Sequence, residues 1–121
     1  MPPEQRDPGL VEDMVSAAES AIAYLNGVDL SRYLAEDMIQ AAVERRLLTL
    51  GEAASRISRT FRDAHPQIPW QDIIKQRHIF VHVYDRINNR RTWDYVTDKL
   101  PPLVAALRLL MPPPPTLKDN S

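Results

Sequence analysis

Apolar residues recur at intervals of three and four along most of this chain, which is the spacing of one face of an α-helix. The longest such series runs through Ala35, Ile39, Val43, Leu47, Leu50, Ala54, Ile57 and Phe61. No stretch alternates apolar and polar residues in the way that a half-buried strand does. We therefore expect an all-α bundle, and we expect its helices to pack antiparallel because short loops join them.

Local signals predict the ends of the first two helices. Asp7 is the expected N-cap of the first, with Pro8 at its first helical position. Gly27 can end this helix in a left-handed conformation. Ser31 is the expected cap of the longest helix, which would end at His65-Pro66.

Two further helices are expected in the second half of the chain. Pro69 can open the third, whose stripe is Trp70, Ile73, Ile74, Arg77, Val81 and Tyr84. Asn88 is the expected cap of the fourth, and Pro101-Pro102 should kink or break it. We expect one domain over residues 1–111, followed by a flexible proline-rich tail over residues 112–121.

Composition excludes several classes of protein. The chain has no cysteine, so it has neither a disulfide framework nor thiolate chemistry. It has no apolar run of about 18 residues that could span a membrane. The first ten residues, MPPEQRDPGL, lack the pattern of a signal peptide. A cytoplasmic protein is the simplest expectation.

Charge is distributed unevenly along the chain. Residues 1–44 contain nine acidic and two basic residues, whereas residues 45–91 contain ten basic and four acidic residues. The net charges of these segments are therefore −7 and +6. Such asymmetry indicates an anionic partner for the middle segment, or two helices that attract each other across the fold.

The segment RHIFVHVY, residues 77–84, gathers an arginine, two histidines and a tyrosine. Arg77 falls on the apolar stripe, where a guanidinium is costly unless it is paired or opens onto a wet cleft. It could form a salt bridge with a carboxylate such as Glu52. It could also bind a phosphate group and stabilise charge in a transition state.

The two histidines of this segment admit several roles. His82 could act as a general acid or base near neutral pH, or could be hydrogen-bonded at a helix end. His82 lies about 140° around an ideal helix from Arg77, so the two can converge only if the helix ends or distorts near Val81 or if a second subunit completes the site. His78, His82 and Asp85 would share a face, a spacing compatible with a metal site.

Arg77, the polar His78, His82 and Tyr84 match an R-polar-x3-H-x-Y motif. With Trp70 before it, Trp93 after it and GEAASRIS upstream, the chain resembles the HEPN superfamily, and HepT-type toxins in particular, over roughly residues 10–110. The resemblance implies an antiparallel bundle of four to five helices that forms a homodimer, and a metal-independent ribonuclease that needs no cofactor. It implies that Arg77 and His82 are catalytic and that His78, often asparagine or aspartate in the superfamily, is auxiliary.

The resemblance also implies partners. HepT proteins pair with an MntA-like nucleotidyltransferase antitoxin, which silences the toxin by transferring AMP to the motif tyrosine, here Tyr84. The substrate would be RNA, with flanking phosphates held by the basic segment, including Arg86, Arg90 and Arg91. Two alternatives remain: a non-catalytic HEPN module that binds a nucleotide or regulates a nucleotidyltransferase, and a helical dimer in which Arg77 is only salt-bridged.

Overall fold

The computed structural model describes residues 3–82 and 87–111. They form seven α-helices: α1 (Pro3–Tyr24), α2 (Leu30–Ala35), α3 (Asp37–Arg56), α4 (Arg59–Ala64), α5 (Trp70–His82), α6 (Asn89–Asp94) and α7 (Leu100–Arg108). These residues contain no β-strand, so the prediction of an all-α bundle is confirmed. None of their helices is both long and apolar enough to cross a membrane. The predicted tail, residues 112–121, lies outside the described residues.

Helix α3 lies at the centre of the bundle. It packs against α1 on one side and against α5 on the other, while α7 packs against α1. The predicted stripe of α3 supplies much of the core, since Val43, Leu47, Leu50 and Ala54 are buried. Each such aliphatic side chain larger than alanine contributes about 1.5–3 kcal/mol when it is fully buried. The position of α5 is thus fixed mainly by α3.

The longest predicted helix is divided into three helices. The first division falls at Glu36, whose backbone is extended (φ −119°, ψ 104°) and separates α2 from α3. The predicted cap at Ser31 is also wrong by two residues. The N-cap of α2 is Asp29, whose carboxylate accepts a hydrogen bond from the Arg32 backbone N–H at 2.8 Å.

The second division falls between α3 and α4, and it is stabilised from the opposite end of the chain. Ser58 caps α4 by accepting the Phe61 N–H at 3.1 Å. Asp7 in turn accepts the Ser58 backbone N–H at 2.9 Å and the Ser58 hydroxyl at 2.6 Å. The prediction that Asp7 caps α1 is therefore wrong, because α1 begins at Pro3 and contains Pro8.

The other predicted helix ends agree better with the structure. Gly27 is in the left-handed conformation (φ +76°) after α1, and the side chain of Asn88 caps α6. The prolines at 101 and 102 do not break the last helix, because they lie in the first turn of α7, where no backbone donor is needed. The distortion comes just before them as a π-helical turn, Tyr95–Lys99, closed by the Leu100 N–H donating to the Tyr95 carbonyl.

Candidate functional site on helix α5

The start of α5 is fixed by local hydrogen bonds. The Pro69 carbonyl accepts the Ile73 N–H at 3.1 Å, and the Trp70 indole N–H donates to the His65 carbonyl at 2.9 Å. The predicted start at Pro69 is thus correct. The predicted stripe is partly wrong, because Phe80 is buried whereas Val81 is 43% exposed.

Arg77 lies where α5 crosses α3, directly opposite Gly51. A Cβ atom at position 51 would fall inside van der Waals distance of the Arg77 Cβ and 3.2 Å from both the Arg77 Cγ and the Ile73 carbonyl oxygen. Only glycine therefore permits this approach of the two helices. The sequence shows that Gly51 lies inside a helix, but the need for glycine there comes from Arg77 and Ile73 on α5.

The guanidinium of Arg77 has no partner in the part of the chain that the structure describes. Its Nε atom is buried without a hydrogen-bond acceptor there. Glu52, the carboxylate considered as a salt-bridge partner, is exposed and forms no ion pair with Arg77. A buried donor without an acceptor costs about 1–3 kcal/mol, so this side chain is kept in an unfavourable state that an anionic ligand would relieve.

His78 and His82 lie together on the outer face of α5. Their ring centroids are 4.5 Å apart, with the ring planes inclined at 43°, and both side chains are exposed. The predicted sharing of a face is confirmed for these two residues. Exposed imidazoles at this distance can pass a proton to or from a bound ligand without a change in the fold.

Arg77 and His82 do not converge through a distortion of the helix, because α5 continues through His82. Their side chains leave the helix about 140° apart. The face between them carries His78 and the exposed Val81. A site that used both residues would therefore extend across this outer face.

Several predicted site residues lie outside the described residues, namely Tyr84, Asp85 and Arg86. Of the other predicted RNA-binding residues, Arg90 and Arg91 are both exposed on α6, and Arg90 Nε lies 3.3 Å from Asp94 Oδ1. Within residues 3–82 and 87–111, no group of three or more histidine, aspartate or glutamate side chains could hold a metal ion.

Among the described residues, the excess of bases in residues 45–91 is not balanced by ion pairs with the acids of residues 1–44. In the described regions the ion pairs are Arg32–Glu36, Arg59–Asp63, Arg90–Asp94 and Arg108–Glu19. None joins a base of residues 45–91 to an acid of residues 1–44. The two oppositely charged segments therefore do not neutralise each other by direct pairing here, and most middle-segment bases remain available to an anionic partner.

A cavity of about 460 Å³ opens between α5 and the helix formed by α6 and the π-helical turn. Its lining includes Lys75, Ile79 and Phe80 from α5, together with Arg91 and Tyr95. Burial, and then the nearby Asp72, raise the pKa of Tyr95, so its hydroxyl stays protonated and can donate. The sequence did not indicate this cavity, because its two walls come from helices about 20 residues apart in the chain, and local patterns do not show which helices face each other.

The family model described as "Ribonuclease HepT-like" matches residues 14–110, which include the whole of α3 and α5, the two helices that cross at Arg77. A protein of Methanocaldococcus jannaschii named "Putative RNase MJ1380" is 30% identical over 89 residues, covering 74% of this chain and 82% of the relative. A protein of Thermococcus cleftensis named "Probable ribonuclease HepT" is 30% identical over 93 residues, covering 77% and 84% respectively. No solved structure gives a significant match.

Proposed function

Because this chain belongs to the Ribonuclease HepT-like family, we propose that it is a metal-independent endoribonuclease whose site lies on the outer face of α5. The observation that carries the proposal is Arg77, whose aliphatic stem packs on Gly51 and whose buried Nε has no hydrogen-bond partner among the described residues. A phosphodiester supplies the missing acceptors. Two exposed histidines one turn apart stand on the adjacent face.

The reaction needs no nucleophile from the protein. His82 takes the proton from a ribose 2′-hydroxyl, whose oxygen attacks the adjacent phosphorus. The bond from phosphorus to the 5′-oxygen of the next nucleotide breaks, and that oxygen receives a proton from the imidazolium of His78. The distance of 4.5 Å between the ring centroids of His78 and His82 supports this role. The products are a 2′,3′-cyclic phosphate and a 5′-hydroxyl. Arg77 stabilises the negative charge that develops on the phosphorus oxygens.

A cleavage assay on single-stranded RNA tests the site directly. Loss of a general base lowers the rate by about 10²–10⁴-fold, so His82→Ala should be nearly inactive. Arg32→Ala is the control and should cleave at the wild-type rate, because Arg32 is an exposed arginine outside the basic segment and is paired with Glu36. If His82→Ala cleaved as fast as the wild type, a non-catalytic module that binds a nucleotide or regulates a nucleotidyltransferase would be the better description.

The site is completed by a second copy of the chain in this proposal. Arg77 and His82 project about 140° apart from one helix, and the exposed Val81 lies between them. A homodimer that joined these faces would enclose the outer face of α5 in a cleft. Light scattering at micromolar concentration should give twice the mass of the chain, and a monomer mass would count against this arrangement.

The activity is that of a toxin controlled by a nucleotidyltransferase antitoxin of the MntA type. That partner would transfer AMP to the hydroxyl of Tyr84, adding a bulky anion to the motif and blocking RNA. Mass spectrometry after incubation with the partner, ATP and Mg²⁺ should show one AMP on the wild type and none on Tyr84→Phe. Equal modification of both proteins would show that another residue is the acceptor.

The basic segment after the motif holds the flanking phosphates. Arg90 and Arg91 are exposed, so their joint replacement by glutamate should weaken RNA binding and reduce its salt dependence without unfolding the bundle. Unchanged affinity in a filter-binding titration at several salt concentrations would remove these two residues from the binding surface, and replacing Arg86 by glutamate would test that residue in the same assay.

A further inference from the structure

The cavity between α5 and the α6–π-turn region has the size and composition of a ligand site. Its volume of about 460 Å³ falls within the range of roughly 300–1,000 Å³ found for small-molecule sites. Ile79, Phe80 and Ile87 form its apolar part, where Phe80 is nearly fully buried and Ile87 partly so. A flat heterocyclic ring can be sheltered there from water.

Three cations line the same cavity, namely Lys75, Arg91 and Lys99. All three are exposed, and none pairs with a carboxylate within the described residues. Cations around an apolar pocket suit a ligand that has a flat ring and a phosphate group. A nucleotide meets both requirements.

One carboxylate of the cavity lies on α5, on the same helix as Lys75, and is free to read a base. Of the two carboxylates on the opposite wall, Asp94 is paired with Arg90, and Asp98 lies 3.3 Å from the Thr97 hydroxyl, which has a nearer acceptor in the Trp93 carbonyl at 2.9 Å. Asp72 has neither a hydrogen bond nor an ion pair to any described residue. A carboxylate accepts two parallel N–H groups, and guanine presents two such donors, N1–H and N2–H, side by side.

The cavity is placed next to the histidine pair. Lys75, His78 and His82 follow a spacing of three and four residues, so they form one stripe along α5, and all three are exposed. Ile79 precedes His82 by three residues, less than one helical turn. Lys75 therefore belongs both to the stripe of the histidines and to the lining of the cavity.

We propose that this cavity binds the guanine base of a nucleotide next to the cleaved bond, with Asp72 accepting from the base and Lys75 contacting the intervening phosphate. The proposal rests on the ribonuclease function proposed above and adds to it a preference for guanine. It assigns to Asp72, Lys75 and Phe80 a role in choosing the substrate, whereas His82 and Arg77 act on the phosphodiester.

Calorimetric titration with guanosine, uridine, adenosine and cytidine 5′-monophosphates tests the base preference without any cleavage. Guanosine monophosphate should bind most tightly. Asp72→Asn should weaken its binding by about 5- to 150-fold, the range expected for a bidentate base contact, while Asp63→Asn, an exposed aspartate on α4, should leave it unchanged. Equal affinity for the four nucleotides, or unchanged binding in Asp72→Asn, would overturn the proposal.

Cleavage of short RNAs that contain a single guanine then locates the site along the substrate. The wild type should cut next to the guanine, and Asp72→Asn should cut the same RNAs with lower and more even values of kcat/KM. Cleavage with no dependence on base identity would overturn the guanine site but leave the ribonuclease function intact. Selective guanosine monophosphate binding with no cleavage of any RNA would overturn the ribonuclease function instead.

Discussion

Asp7 and Arg77 are two charged side chains of this bundle that differ in whether their buried polar atoms have hydrogen-bond partners. Asp7 is only 2% exposed, and it accepts two hydrogen bonds from Ser58, which ties α1 to the start of α4. Arg77 is half-buried at the crossing of α3 and α5, and its Nε has no acceptor among the described residues. The contrast teaches that Asp7, whose hydrogen bonds are satisfied, holds helices together, whereas Arg77, whose Nε is left without a partner among the described residues, is available to a ligand.

The largest expected effect is on catalysis at Arg77. Arg77→Ala should lower RNA cleavage by about 10²–10³-fold, because one donor to the developing charge is lost. Its free energy of unfolding should change by less than about 1 kcal/mol, since loss of the packed stem is offset by removal of an unsatisfied donor. Urea denaturation alongside the cleavage assay measures both. A strongly destabilised variant would mean that Arg77 is structural, as Asp7 is.

Asp7→Ala should give the converse result. The free energy of unfolding should fall by about 2–4 kcal/mol, because two hydrogen bonds to a charged group are lost and Ser58 keeps an unpaired donor. Asp7→Asn retains one acceptor and should lose less. Cleavage at temperatures well below the unfolding midpoint should stay at the level of the wild type for both variants. Loss of cleavage in the folded Asp7→Ala protein would show that Asp7 is not purely structural, contrary to the contrast with Arg77.

The crossing that holds Arg77 can be tested at Gly51. Gly51→Ala gains about 1 kcal/mol of helix propensity but overpacks the contact with Arg77 at a cost of about 1–3 kcal/mol. We expect a net destabilisation of up to about 2 kcal/mol and reduced cleavage. Gly9→Ala is the matched control, because a Cβ there meets no atom within 4 Å, and it should stabilise α1 by about 0.5–1 kcal/mol. Equal effects of the two changes in thermal unfolding would argue against a tight crossing.

The smallest effect is expected at Tyr33, which tests whether an unpartnered buried group away from Arg77 matters for cleavage. Its side chain is fully buried, and its hydroxyl also lacks a partner among the described residues, next to the ring of Trp93. Burial, and then the nearby Glu44, raise the pKa of Tyr33, so the hydroxyl stays neutral.

Tyr33→Phe should therefore raise the free energy of unfolding by up to about 1 kcal/mol, because an unsatisfied polar group is removed, and cleavage should not change. Tyr24→Phe is the control, because the exposed Tyr24 hydroxyl accepts a hydrogen bond from Arg46 at 3.0 Å, and this change should bring no gain in stability. A loss of cleavage in Tyr33→Phe would show that the hydroxyl of Tyr33 also belongs to the site.

The sequence by itself determined the features that depend on neighbouring residues. The helical period established the all-α class, and short-range signals placed the turn at Gly27, the start of α5 after Pro69 and the cap at Asn88. The spacing of four residues put His78 and His82 on one face, as the structure has them. Each of these features involves residues within one or two helical turns, and so the local order of residue types is sufficient.

The tertiary structure alone decided what depends on residues far apart in the chain. The helix predicted from Ser31 to His65 ends early at Arg56, and Asp7, 51 positions before Ser58, stabilises the new helix start. The glycine at 51 is explained only by Arg77 on another helix. Whether Phe80 or Val81 faces the core depends on the exact rotation of α5 against α3, because both are apolar and adjacent. Such features are set by packing between elements, which no local pattern records.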